Sequence, residues 1–76
     1  MSILDLEPNE TGTVVSIDDT GAIRRRLIDM GLVPSAEVQL ERKAPSGNPL
    51  WIRVGQTHLA LREREAAAVQ IQAATK

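Results

Sequence analysis

Five short stretches of this chain alternate apolar and polar residues with a period of two, and that rhythm dictates a sheet. Successive side chains on a strand point to opposite faces, so each such stretch has one face for a core and one for water. In residues 12–17, Val15 and Ile17 share a face. Residues 37–42 turn Val38 and Leu40 inward and Glu37, Gln39 and Glu41 outward. Residues 50–55 turn Leu50, Ile52 and Val54 one way and leave Trp51 and Arg53 on the other. Residues 57–62 bury Leu59 and Leu61 opposite His58, Ala60 and Arg62, and residues 69–72 bury Val69 and Ile71.

Residues 22–30 break the rhythm. Ile23, Leu27 and Met30 recur at helical spacing and make one apolar stripe. Asp18, Asp19 and Thr20 precede it, all residue types that cap a helix N-terminus. The exit is written in Met30-Gly31-Leu32. Gly31 takes the left-handed conformation that closes a helix, which lets Leu32 fold back onto Leu27. Pro34 blocks any continuation.

The remaining punctuation is turns. Ala44-Pro45-Ser46-Gly47-Asn48-Pro49 is a rigid hairpin loop between the second and third strands, and Gly55-Gln56 is a tight turn between the third and fourth. Residues 63–68 suit one or two helical turns, and residues 72–76 read as a polar tail that frays. An open sheet of such strands would leave bare edges. Curling them into a small barrel removes most of these, with the helix seated over one mouth. The expectation is a mainly β chain of about five strands, with one short α-helix between the first and second, forming a single domain over residues 1–76.

Composition narrows the function. A chain of 76 residues buries a small core, and with no cysteine neither disulfides nor thiolate-bound metal reinforce it. Met1-Ser2-Ile3-Leu4-Asp5-Leu6-Glu7 lacks the basic region and apolar run of a signal peptide. No apolar stretch approaches the ~18 residues that span a bilayer. A cytoplasmic protein not itself embedded in a membrane is expected. A net charge of −1 provides no field for nucleic-acid phosphates. One aromatic residue, Trp51, and one histidine, His58, make neither a base-stacking platform nor a convergent metal site. No catalytic, cofactor-binding or metal-ligating residue is expected. A nucleophile–base pair would have to join His58 to Ser16, Ser35 or Ser46, and no spacing marks such a constellation.

Four pieces in order carry a resemblance: Gly12-x-Val14-x-x-Ile17, Arg26-Leu27-x-x-Met30-Gly31-Leu32-x-Pro34, Ala44-Pro45-x-Gly47-x-Pro49, and Leu59-x-Leu61-Arg62-x-x-Glu65-Ala66. Together they are similar to the ferrous iron transport protein A (FeoA) family, over nearly the whole chain. The resemblance implies an SH3-like barrel and an accessory role beside FeoB, a membrane ferrous iron transporter with a cytoplasmic GTP-binding domain. The same domain type resembles the C-terminal domain of iron-dependent transcriptional repressors, and a free-standing module is expected here. Two positions depart from the family pattern. Ser35 stands where glycine is usual, so a type I or Asx/ST turn is expected in place of type II. Asn48 stands where aspartate is common, which puts in doubt any role for a carboxylate in that loop.

Candidate partner-binding residues are Arg24, Arg25, Ile28, Pro45 and Trp51. Arg24 and Arg25 form either a docking face for an acidic partner or a solvated helix face, with Arg25 and Asp29 as an i,i+4 pair. Arg26, nearer the apolar stripe, suits a structural bond to a carbonyl or carboxylate. Ile28 lies roughly 140° around the helix from Ile23. It is therefore exposed to a partner or covered by Leu4 and Leu6. Trp51, beside Pro45 in the hairpin, is either an interface anchor or packed on its own chain. His58 reads as a surface residue. The functional expectation is an accessory of ferrous iron uptake that binds the cytoplasmic part of an FeoB-type transporter and modulates its assembly or activity. Two alternatives stay open: a nucleic-acid- or ribosome-binding barrel, and a self-associating module. Oligomeric state is left open.

Overall fold

The computed structural model describes residues 1–19 and 21–73. A 3-10 turn over Ile3–Asp5 leads into β1 (Thr11–Ile17), α1 (Ala22–Asp29), β2 (Glu37–Lys43), β3 (Leu50–Val54), β4 (Thr57–Leu61), α2 (Glu63–Ala68) and β5 (Val69–Ala73). The strands form one antiparallel sheet in the order β4-β3-β2-β1-β5. Its concave face encloses the core, where Val14, Val38, Leu40, Leu50, Ile52, Leu61 and Val69 meet Leu27 of α1 and Ala66 of α2. No pairing among the described residues joins β4 to β5. The chain crosses between them as α2. No helix among these residues is long and apolar enough to cross a membrane.

Four strands present the expected faces, and β1 does not. Val14 is buried while Val15 is 53% exposed, the reverse of the period-two expectation. The β1–β5 register shifts between Val14 and Ser16, so one extra residue is accommodated there. A bulge consumes a residue without advancing the pairing and flips the phase of the residues after it. Val14 and Ile17 therefore share the inner face, and Val15 turns to solvent. A second shift, between Leu40 and Arg42, brings Arg42 opposite Trp51. In β4, Leu61 is fully buried, but Leu59 is only half-buried. β4 has a strand on one side alone, so the core face of its middle residue is incompletely sealed.

β5 runs further than expected. Gln72 and Ala73 pair with Thr13 and Gly12, so these two belong to the sheet and not to a tail. The rest of that segment, residues 74–76, lies outside the described residues. The close approach needs a glycine. A Cβ on Gly12 would stand 2.7 Å from the Ile71 side chain and 3.3 Å from the Gln72 carbonyl oxygen.

The helix exit is as expected. Gly31 has φ 101°, and its N–H donates to the Ile28 carbonyl at 2.9 Å. The Leu32 N–H donates to the Leu27 carbonyl at 3.1 Å, and both leucines are fully buried. This pair of bonds is the Schellman motif with its hydrophobic clasp. The entry differs. The N-cap position falls to Gly21 at φ 73°, which has no side chain to cap with. Asp18 stands upstream, its N–H held by the Ala68 carbonyl at 2.6 Å, and Asp19 follows it. Thr20, the third candidate cap, lies outside the described residues.

The turn after α1 corrects another expectation. Ser35 has φ 78°, and the Ala36 N–H donates back to the Val33 carbonyl at 2.9 Å. Pro34 at the second position and a left-handed third residue make this a type II turn, in spite of the serine. The reason is tertiary. The Ser35 N–H donates to the Val14 carbonyl and the Val14 N–H to the Ala36 carbonyl, at 2.9 and 2.8 Å, pinning the turn to β1. A left-handed serine is strained where glycine is not. Ser35→Gly is expected to raise stability by about 1 kcal/mol, seen as a higher denaturant midpoint with unchanged slope. An unmoved midpoint would mean the conformation costs serine nothing here.

The N-terminal segment is part of the fold. The Leu4 N–H donates to the Ser2 hydroxyl at 3.2 Å and the Ser2 N–H to Asp5 Oδ2 at 2.8 Å, a reciprocal cap. That turn packs against α2 and β5, and both Ile3 within it and Leu6 after it lie in the core.

Candidate functional site

The exposed face of α1 is set by helical geometry. Leu27 is buried in the core, while Arg24 and Arg25 are exposed and Ile28, one turn on from both at i,i+4 and i,i+3, is half-buried beside them. With Gly21, Ala22 and Asp29 they line an open depression of about 650 Å³. Arg24 and Arg25 are exposed, and neither makes an ion pair among the described residues, so the expected Arg25–Asp29 pair does not form. Ile28 is half-buried yet is not among the side chains packed on the core. Its expected cover is engaged elsewhere, since Leu6 lies in the core and Leu4 packs against it. The depression thus sets the half-buried Ile28 beside two guanidinium groups and the Asp29 carboxylate, with neither arginine in an ion pair among the described residues.

Arg26 does a different job. Its Nη1 pairs with Glu65 Oε2, while the other carboxylate oxygen of Glu65 accepts the Arg62 N–H at 2.9 Å. Glu65 is the third residue of α2, and reaching back to the N-cap N–H is the carboxylate half of a capping box. One buried carboxylate, 6% exposed, therefore caps α2 and ties it to α1. The sequence reading gives Arg26 a carbonyl or carboxylate partner, and the structure supplies Glu65. The Arg62–Glu65 spacing of N-cap and third helical residue was the available signal.

The hairpin candidates form a separate group. Pro45 is exposed in the loop, and Trp51 is half-buried on the outer face of β3. The Arg42 guanidinium lies over the Trp51 ring, 4.0 Å from its centroid, so the chain's own cation covers one ring face. Neither Pro45 nor Trp51 lines the α1 depression. The same loop supports α2, because Asn48 Oδ1 accepts the Glu63 N–H at 3.0 Å. Only an acceptor oxygen is needed for that bond, and asparagine supplies it as an aspartate would.

His58 is exposed, with Nδ1 3.0 and 2.9 Å from the two carboxylate oxygens of Glu41. A ligand pair is not a cage. No group of three or more His, Asp or Glu side chains converges among the described residues.

Residues 1–73 match the family model described as the FeoA domain. This chain belongs to the FeoA family. The FeoA of Stenotrophomonas maltophilia, a procaryotic SH3 domain protein crystallised with zinc and put forward as a ferrous iron transport activating factor, is 37% identical. The superposition covers 95% of this chain and 89% of that one, with a TM-score of 0.86. The solution structure of FeoA from Chlorobium tepidum is 31% identical, covering 99% of this chain and 71% of that one at a TM-score of 0.92. The fold is thus SH3-like, as the family resemblance implied. A manganese-dependent transcriptional repressor shares the fold at 14% identity and a TM-score of 0.87, covering 97% of this chain and 36% of its own. Among curated relatives, an Fe(2+) transport protein A/Fe(2+) transporter FeoB fusion protein of Porphyromonas gingivalis is 24% identical over 72 residues. Those residues are 95% of this chain and 8% of that relative.

Proposed function

We propose that this chain is a cytoplasmic accessory of ferrous iron uptake that binds the cytoplasmic part of an FeoB-type transporter and modulates its assembly or activity, with no catalytic step of its own. The observation that carries this reading is the fusion relative, which joins a segment similar to this chain to a FeoB transporter in one polypeptide. Covalent linkage keeps two modules at high effective concentration, which serves parts that act on each other.

The α1 face is the first candidate for the contact. A half-buried isoleucine beside two arginines that make no ion pair among the described residues suits a partner segment that offers an apolar side chain flanked by carboxylates. Pro45, exposed in the hairpin loop, and Trp51, with one ring face already taken by Arg42, are the second candidates. The experiment is capture of this chain by the purified cytoplasmic domain of its FeoB, with and without guanine nucleotide. Wild type is expected to bind. R24E/R25E is expected to weaken binding about tenfold or more, while leaving the thermal midpoint where it was. Failure of the wild type to bind under any nucleotide condition would sink the reading. Equal binding by wild type and R24E/R25E would move the contact off α1.

A further inference from the structure

The two outer strands of the sheet are treated differently. β5 is covered: the Ile71 N–H donates to the Met1 carbonyl at 2.8 Å, and Ser2 bridges to Gln70. β4 has no such cover. Among the described residues no backbone bond beyond its pairing with β3 involves residues 57–61. The hairpin geometry shows which groups are left over. Gly55-Gln56 joins β3 to β4, and Val54 pairs with Thr57. The closing pair of a two-residue hairpin exchanges both backbone bonds, and bonded pairs then alternate along the ladder. Thr57, Leu59 and Leu61 therefore bond to β3, and the N–H and C=O of His58 and Ala60 face the open edge.

Edge strands are ordinarily blunted by charge, proline or a bulge. Thr57-His58-Leu59-Ala60-Leu61 carries no lysine, arginine, carboxylate or proline, and its register with β3 is unbroken. Its core-facing middle residue, Leu59, is half-exposed.

We propose that β4 pairs antiparallel with β4 of a second copy of this chain, across a two-fold axis at Leu59. In that register His58 of each copy lies opposite Ala60 of the other, and all the outward N–H and C=O groups of these residues find partners. Self-pairing is favoured by the groups it sets in opposition. No like charges meet, since His58 faces an alanine and keeps its own Glu41 beside it. The two Leu59 side chains meet on the inner face and complete each other's burial. Arg62, just beyond the strand, falls opposite Gln56. An interface of one short strand is small, so the dimer forms at high concentration and exchanges quickly.

The test is sedimentation of the full chain from ~10 μM to ~1 mM, paired with amide hydrogen exchange at both ends of that range. Expected are a dimer fraction that rises with concentration and exchange at His58 and Ala60 slowed by about tenfold or more. Ala60→Pro deletes an outward N–H that no intrachain bond uses, and Ala60→Lys places a charge on the edge. Both are expected to stay monomeric throughout. If the proline disturbs β4, the lysine variant and the wild-type exchange data still decide. A wild type that remains monomeric at the top concentration overturns the proposal. So does a dimer that survives both substitutions, or one that leaves the His58 and Ala60 amides unprotected. Protection that appears only when a transporter fragment is added to a monomeric chain assigns the edge to a foreign strand and also overturns it.

Discussion

Leu61→Ala is expected to cost about 2–5 kcal/mol of unfolding free energy, and Leu59→Ala well under half as much. The two leucines sit on the same face of the same strand, so a period-two reading gives them equal weight. Their surroundings do not. Leu61 ends β4 where the chain turns into α2, and it is fully buried in the cluster with Leu27, Leu50 and Ala66. Truncation there removes apolar contact and leaves a cavity that packed neighbours on several elements cannot collapse into. Leu59 is only partly buried where it packs against the core at the sheet edge, so solvent reaches the space left by its truncation and the cavity contribution shrinks. A domain of this size has only a few kcal/mol of net stability, so Leu61→Ala brings it close to unfolding at room temperature. Urea titration of both variants checks the pair. Equal losses would mean that the edge of β4 is sealed in solution by something other than this chain's own described residues. Self-pairing of β4 would be the first explanation to try, by repeating the titrations at higher dilution.

How far the fold could be read ahead depends on whether each feature is local. The Schellman exit of α1 needs only Leu27, Gly31 and Leu32, all within one turn, and was fully legible. The faces of β2, β3 and β5 follow from alternation alone. Val15 was misplaced because the bulge that turns it outward is a property of the β1–β5 pairing, between residues more than fifty positions apart. Ser35 misled for the same reason, since two bonds to Val14 impose a turn type that serine disfavours. Ile3 and Leu6 are spaced for a helical turn, but a turn this short has no periodicity to detect. The candidate site divides along the same line. Arg24, Arg25 and Ile28 come together because one helix carries them, and a helical wheel suffices. Pro45 and Trp51 lie elsewhere, and the Arg42 contact that covers Trp51 depends on the second bulge. That β4 is an open edge follows only from strand order, which no local pattern encodes.

Glu65→Ala is expected to cost about 2–3 kcal/mol, mostly through polar bonds. Two bonds are lost together. The Arg62 N–H loses its cap, worth about 1 kcal/mol at a helix N-terminus, and the charge-assisted bond to Arg26 adds about 1.5–3 kcal/mol before solvation offsets it. The offset is real on one side only. The Arg26 side chain is 60% exposed and rehydrates when released, whereas that of Glu65 is 8% exposed. Arg26→Ala therefore leaves a carboxylate with little water and a single backbone donor, a loss of about 2 kcal/mol. Because both substitutions break the same bond, the double variant should fall short of their sum by about 1 kcal/mol or more. Glu65→Gln separates the roles, since its amide oxygen still accepts from Arg62 but brings no charge to Arg26. It is expected to lie between wild type and Glu65→Ala. Strict additivity of Arg26→Ala and Glu65→Ala in denaturant titrations would show that the two groups do not couple, and that α1 is held to α2 by Leu27 and Ala66 in the core alone.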